Sequence, residues 1–246
     1  ARGPVLRNCE MQRELAAYTL QPTPLALLTS VRDVPWATAI PSKDAVAAGL
    51  AWLHAQRGAD GGWLDPTELE GDDGTSNATS VAIDALGVRA LLAHSKVDLE
   101  RETQLALESA RASLALRNRG PAYMTYEVWS DALQLELFAD LIAAGSARAP
   151  ELRKVGEDLI DALIRRQRQN GGWSYFDAVS LDADAAKLEQ SISFVTATVV
   201  LALERALDAG IDFDEDVLAH GLDALEAMRD EAGVFSYFLW SFQARS

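Results

Sequence analysis

The 246-residue chain predicts an all-α fold built from repeated helical hairpins. Two observations carry that reading. Apolar residues recur at helical spacing through most of the chain, and one kind of glycine–aromatic turn returns four times. A third agrees with them: no Asn-Gly hairpin signal separates short alternating runs, as an all-β chain would require.

The turns set the period. "GGW" starts at Gly61 and again at Gly171, 110 residues later. Between them "RNRGPAYMTY" (117–126) places Gly120 and Tyr123 where Gly and Trp stand in the others, and "DEAGVFSYF" (230–238) repeats the pattern with Gly233 and Phe235. Glycine permits the backbone reversal, and the aromatic that follows supplies a large apolar anchor between neighbouring hairpins. Gln56 and Gln167 precede the two GGW turns and are expected to satisfy backbone groups left free at a helix end.

The elements follow in order. Residues 1–41 form an N-terminal extension with short helices split by Pro22 and Pro24, and "RDVPWATAIPSK" links it to a repeat domain over 42–246. Before the four turns lie amphipathic stretches at 43–56, 102–116, 155–167 and 216–228, as in the spacing of Val155, Leu159 and Leu163. After the first three turns come more apolar helices at 77–94, 125–145 and 191–210, with Gly145 and Gly210 where helix C-caps belong. "TATVVLAL" alone suits a buried strand, but its helical continuation to Gly210 favours helix. The acidic loop "DPTELEGDDGTS" (65–76) reads as a surface connection. A helix pair of this kind buries both apolar faces only by stacking on its neighbours.

Composition narrows the function. With 49% apolar residues the chain has enough for one large domain or two small ones, and no apolar run reaches the roughly 18 residues of a membrane span. A soluble protein is therefore expected. The formal charge of −15 argues against a nucleic-acid partner, whose phosphates it would repel. The single cysteine, Cys9, rules out an internal disulfide, and His54, His94 and His220 stand on separate helices without ligand spacing. No metal or cofactor is expected. The chain opens on Ala1 rather than Met, which reads as a processed or trimmed start.

"ALIRRQRQNGGW" (162–173) resembles the QW repeat of squalene-hopene and oxidosqualene cyclases, and of the wider α/α-toroid superfamily of terpenoid cyclases and protein prenyltransferases. "AWLHAQRGADGGW" (51–63) is similar, with its Leu-to-Gln spacing one residue short. The likeness covers residues 42 to about 240. It implies an α/α toroid, in which the helix after each turn lines a central cavity. In the family's cyclases a DxDDTA motif at such a helix start supplies the acid that protonates an alkene. Here "FVTATVVLAL" aligns Thr196 and Ala197 with the motif's Thr-Ala but puts Phe194 and Val195 at the aspartate positions. Asn77 and Ala78 stand there in the first unit. Asp182 and Asp184 lie in the loop before the helix and are the weak substitutes for that acid. The zinc site of prenyltransferases has no counterpart. Cys9 and Gln12 share the spacing of complement-type thioester domains but lack the motif between them.

If the turn-following helices line a cavity, their starts face its content. The candidates are Asn77 and Thr79 in unit one, and Tyr126, Glu127, Trp129 and Asp131 in unit two. Unit three offers Gln190, Ser191, Ser193 and Thr196, and unit four Tyr237 and Trp240. Aromatic and small polar groups on an apolar wall suit a lipophilic, isoprenoid-class ligand, whose cationic forms Tyr126 and Trp129 would face with their rings. Two other readings stay open. Glu127 and Asp131, four apart on one helix face, are the carboxylate pair a polysaccharide-processing α/α barrel would need. Alternatively the repeat is a scaffold. Three and a half hairpins are fewer than a closed toroid has, so either a partner subunit or second chain covers the edge of an incomplete barrel or missing segments complete it.

Overall fold

A computed structural model describes residues 42–63, 75–94, 97–117, 126–175 and 190–240. Among them run helices α1 (Ser42–Gln56), α2 (Thr75–His94), α3 (Leu99–Arg117), α4 (Glu127–Ala143) and α5 (Ala149–Ile164). Strand β1 (Gln190–Ile192), helices α6 (Ser193–Asp208) and α7 (Asp216–Met228), and strand β2 (Phe238–Trp240) follow. The fold is all-α, with one short sheet. Helical spacing placed α7 to the residue and the others to within three residues, except that α5 begins six residues before the expected 155. The expected extension over 1–41, with Cys9 and Gln12, lies outside the described residues, as do Asp182 and Asp184.

Contacts divide the chain into Ala1–Gly49 and Leu50–Ser246. Of the first unit only the opening turns of α1 are described. Within the second, the turn-following helices α2, α4 and α6 pack side by side with α4 in the middle. Helix α3 packs on α5, and α3, α5 and α7 lie against α2, α4 and α6 respectively. The returns from α4 and α6 are short because both end in the same cap. Gly145 (φ 87°) and Gly210 (φ 72°) take the left-handed conformation. Ser146 and Ile211 then donate back to Leu141 O and Ala206 O, a Schellman closure that satisfies carbonyls the helix leaves free.

The glycine–aromatic turns are one structure used three times among the described residues. Gly58 N–H donates to Gly62 O, Arg168 to Gly172 O and Asp230 to Val234 O, at 2.7, 2.8 and 2.9 Å. Each loop is closed by a left-handed glycine: Gly61, Gly171 and Gly233, with φ of 95°, 85° and 81°. Close approach adds to the demand at Gly171, where a Cβ would stand 2.2 Å from His220 O on α7. The indoles finish the job. Trp63 Nε1 donates to Leu53 O and Trp173 Nε1 to Leu163 O (2.8 and 2.9 Å), carbonyls in the last turns of α1 and α5.

The polar residue before the turn also acts as expected in one unit. Gln167 Nε2 donates to Gly171 O and to Val217 O on α7, both at 2.8 Å. In the first unit the expectation about Gln56 is corrected. Gln56 is exposed, and the residue in register with Gln167 is Arg57. Its Nε donates to Gly61 O, its two terminal nitrogens grip Glu102 of α3 at 2.7 and 2.6 Å, and its guanidinium lies over the Trp63 ring. The Leu-to-Gln spacing reads one short because the turn recruits the next side chain along.

The sheet is the feature the local pattern did not show. Strand β1 pairs antiparallel with β2, Ser191 opposite Leu239, so residues 190–192 are extended and α6 starts at Ser193. The turn-following helix start expected to carry Tyr237 and Trp240 in unit four is, over Phe238–Trp240, a strand. Asn170 ties the sheet to the third turn. Its Oδ1 accepts from Gly172 N–H and Ser191 Oγ, and its Nδ2 donates to Leu239 O.

The core follows the stacking. Trp173, 0% exposed, sits with Val199, Val200 and Leu203 of α6 and against Gly221 of α7. Trp63 is half-buried against Gly87. Phe235 is 50% exposed. Replacing each by alanine should therefore cost different amounts in denaturant unfolding. Trp173→Ala is expected to lose about 3–5 kcal/mol, Phe235→Ala no more than about 0.5 kcal/mol, and Trp63→Ala a value between. Equal losses at all three would contradict this graded anchoring.

Candidate functional site

Five aromatic rings form a continuous row where α4 and α6 begin. Tyr126, just before α4, meets Tyr175 edge-on at 5.2 Å, and Tyr175 meets Phe194 at 5.6 Å. Phe194 meets Tyr237 at 5.6 Å, and Tyr237 meets Phe238 at 4.4 Å. The row exists because the third turn delivers Tyr175 two residues after Trp173, while the β1–β2 pairing brings 237–238 beside the start of α6. Phe194 is 38% exposed, and the open face continues along α6 through Ala197 to Leu201 (48% exposed), one helical stripe. Burial first, then a hydrogen bond with Tyr237, pushes the Tyr175 phenol up to about 12, so it remains a neutral hydrogen-bonding group.

One end of the row carries charge. Glu127 and Asp131 do share a face of α4, and both turn to Arg166, which leaves the end of α5. Arg166 Nη2 binds Glu127, and Nη1 lies 3.7 Å from Asp131 Oδ2. Asp131 is closed to solvent and Arg166 nearly so. The arrangement is a two-pronged ion pair across the α4–α5 contact.

The other sequence candidates fall in several places. Tyr126 and Tyr237 join the row. Thr196 is wholly buried, its hydroxyl accepting from Trp173 N–H at 3.0 Å and facing Trp173 O at 3.4 Å. Ser191 is buried on Asn170, while Ser193 is half-buried and donates its N–H to Tyr237 O. Gln190 and Trp240 are opposite each other in the sheet. Trp129 packs against the cluster around Leu133 and Phe138. Asn77 and Thr79 lie in the first turns of α2. His54, His94 and His220 are all exposed, and among the described residues no group of three side chains is placed to hold a metal. Nor is any described helix long and apolar enough to cross a membrane.

Sequence reading missed Tyr175, Phe194, Phe238 and Leu201. Phe194 was visible only as a departure from the aspartate of the cyclase motif; the structure makes it the centre of the row.

A second locus is a cleft of about 320 Å³ between α2, α3 and α4, floored by the first turn. Asp84 of α2 lies in it and accepts from Trp63 N–H at 2.9 Å. Burial raises its pKa above the ordinary 3.8, against the pull of the Trp63 N–H. Gln134, nearly buried on α4, reaches Ser109 Oγ at 3.4 Å across the same space. Further down, Arg89 of α2 binds Glu136 and Asp140 of α4 at 2.6 and 2.8 Å, and Arg205 of α6 binds Asp140 from the other side.

Comparison with family models, with curated proteins and with solved structures finds no match to this chain.

Removing the charge that faces Asp131 should be costly. Arg166→Ala leaves that carboxylate buried without its guanidinium and is expected to destabilise by about 3–5 kcal/mol. Adding Asp131→Ala should recover part of the loss in a double-mutant cycle, whereas strict additivity would mean the pair is uncoupled. At Asp84 the raised pKa means that the folded chain holds the proton more tightly than the unfolded one. That contribution is complete below pH 3.8 and is lost as pH rises through the raised value. Asp84→Asn keeps an acceptor for Trp63, so it should be more stable than the parent at pH 7, with the gap closing below 3.8. A loss at pH 7 would show that the bond to Trp63 and the attraction of Arg57 outweigh burial.

Proposed function

We propose that this chain is a toroid-type helical repeat of the kind its QW-like turns resemble, and that it binds an elongated lipophilic, isoprenoid-class molecule along the aromatic row and the α6 stripe. The observation that carries the reading is the run of partly exposed rings from Tyr126 to Tyr237, continued by Ala197 and Leu201. Apolar surface of this length offers a hydrocarbon chain burial along its whole extent, worth about 25 cal/mol per Å² removed from water. Ring edges and faces suit unsaturated carbon. The row's polar fringe, the Tyr175 and Tyr237 hydroxyls and the Glu127–Arg166 pair, would orient a hydroxyl or headgroup.

The reading is binding rather than alkene protonation. Among the described residues the carboxylates at the row, Glu127 and Asp131, both face Arg166. An alkene-protonating acid would have to present its proton to the ligand instead.

One further observation favours a partner as well as a ligand. Val234 and Phe235 of the fourth turn are 62% and 50% exposed, where their counterparts in the third turn, Gly172 and Trp173, are buried. A second reading is therefore a helical scaffold whose fourth turn docks a protein.

The ligand reading is tested by extracting the purified protein with organic solvent for mass spectrometry and by titrating it with farnesol in a calorimeter. Saturable farnesol binding is expected, weakened at least tenfold by Phe194→Ser or Leu201→Glu, two exposed changes that leave the core alone. Unchanged affinity in both variants would move the ligand elsewhere. Absence of any lipid, with binding of an oligosaccharide instead, would replace the reading.

A further inference from the structure

The cleft between α2, α3 and α4 is lined by groups that accept hydrogen bonds and carry negative charge. Asp60 of the first turn, Asp84 of α2, Glu108 of α3 and Gln134 of α4 all border it, and among the described residues no Lys, Arg or His does. Asp60 and Asp84 flank one point. A Cβ built on Gly62 would stand 3.3 Å from Asp84 Oδ2 and 3.7 Å from Asp60 Oδ1, so glycine leaves room between the two carboxylates. No ion pair among the described residues offsets them. Asp84 Oδ1 takes the Trp63 N–H, and Oδ2 is left open. Arg57, the cation whose field reaches Asp84, is committed to Glu102 and to Gly61 O. Burial, and then the charge of Asp60, raise the Asp84 pKa against the Trp63 N–H and Arg57, so at neutral pH the fold holds an unfavourable charge here.

A second observation is independent of the carboxylates. Gln134 is 2% exposed, and its Nε2 lies 3.4 Å from Ser109 Oγ. Its Oε1 is buried with no hydrogen-bond partner. A buried amide oxygen left open is costly, and a donor placed in the cleft would satisfy it. Val81, Ala85 and Val88 of α2 and Leu137 of α4 supply an apolar wall, while Ala106 and Ala112 of α3 leave space. A metal ion would need several oxygens around one centre, and among the described residues no three acidic or histidine side chains are so placed. At about 320 Å³ the cleft takes a small molecule.

We propose that this cleft binds a small hydroxylated amine, its ammonium between Asp60 and Asp84, its hydroxyl donating to Gln134 Oε1, and its apolar body along Val81, Ala85 and Leu137. The site shares no residue with the aromatic row and does not rest on that reading. An ammonium brings three donors, enough to meet Asp84 Oδ2 and Asp60 at once, and its charge answers the one that burial disfavours. The hydroxyl supplies the donor that Gln134 lacks.

Calorimetric titration at pH 7 with tyramine, phenethylamine and tyrosol tests this. Tyramine carries both polar groups, phenethylamine lacks the hydroxyl, and tyrosol has a hydroxyl in place of the ammonium. Tyramine should bind saturably, phenethylamine about threefold more weakly, and tyrosol more than about tenfold more weakly. Asp84→Asn keeps an acceptor for the Trp63 N–H and should weaken tyramine more than about tenfold. Ala112→Phe, at an exposed position on the cleft, should do the same by filling it. The two changes act differently on the fold, so a loss common to both, with unaltered circular dichroism, is a loss at the cleft. Saturating farnesol should leave the affinity for tyramine unchanged. No tyramine binding, equal binding of tyrosol or phenethylamine, unchanged affinity in both variants, or displacement by farnesol overturns the inference.

Discussion

The hydrogen bond from the Trp173 indole to Leu163 O is the constraint around which the rest is arranged. A helix that ends inside a protein leaves carbonyls without partners, and water is excluded there. The chain meets this by reversing sharply through a left-handed glycine and folding the next aromatic back over the helix it has just left. The indole N–H meets the open carbonyl, and the ring fills the space between that helix and the following hairpin. One residue therefore terminates a helix, closes a turn and anchors the stack. Trp63 does the same at Leu53, with less cover. The turn-following helices α2, α4 and α6 lie side by side, and the starts of α4 and α6 meet at the aromatic row.

The middle helix bears the consequence. Helix α4 is enclosed by α2, α3, α5 and α6, and even its polar residues Asp131, Gln134 and Glu136 are 3% exposed or less. A carboxylate in such a place must be paired or become neutral. Asp131 faces Arg166 from α5. Glu136 shares Arg89 of α2 with Asp140, which Arg205 of α6 approaches in turn. Burial still raises the Glu136 pKa, with Arg89 and Arg205 opposing, so desolvation is offset only in part. What these pairs add is register. Arginines from two flanking helices reach the same stretch of α4, and sliding either helix by one turn would strand a buried charge.

Helices and turns were legible because their signals are local. Val155, Leu159 and Leu163 announce α5 by spacing alone, and Gly145 and Gly210 announce caps that the φ values bear out. What was not legible depends on residues distant in sequence. The 190–192 strand exists because 238–240 runs beside it, and Asn170 joins the two; nothing within five residues of Gln190 encodes that pairing. Gln56 was read for Arg57 because the motif was counted by residue type, whereas the turn selects by distance from its glycine. The row was half visible. Tyr126 and Tyr237 stood at helix starts where a cavity wall was expected. Phe194 was hidden by a comparison that asked only whether an aspartate was there.

The start of α6 divides its work between two residues. Thr196 is buried and serves Trp173, its hydroxyl accepting from that residue's N–H and facing its C=O. Phe194, two residues earlier, is 38% exposed and stands between the Tyr175 and Tyr237 rings. Two residues apart on a helix lie about 200° apart around its axis, so the pair point to different sides. Thr196 belongs to the joint between turn and helix, which the stack requires. Phe194 belongs to the open row, which the joint does not constrain. The row can therefore be altered while the turn that anchors the stack is kept.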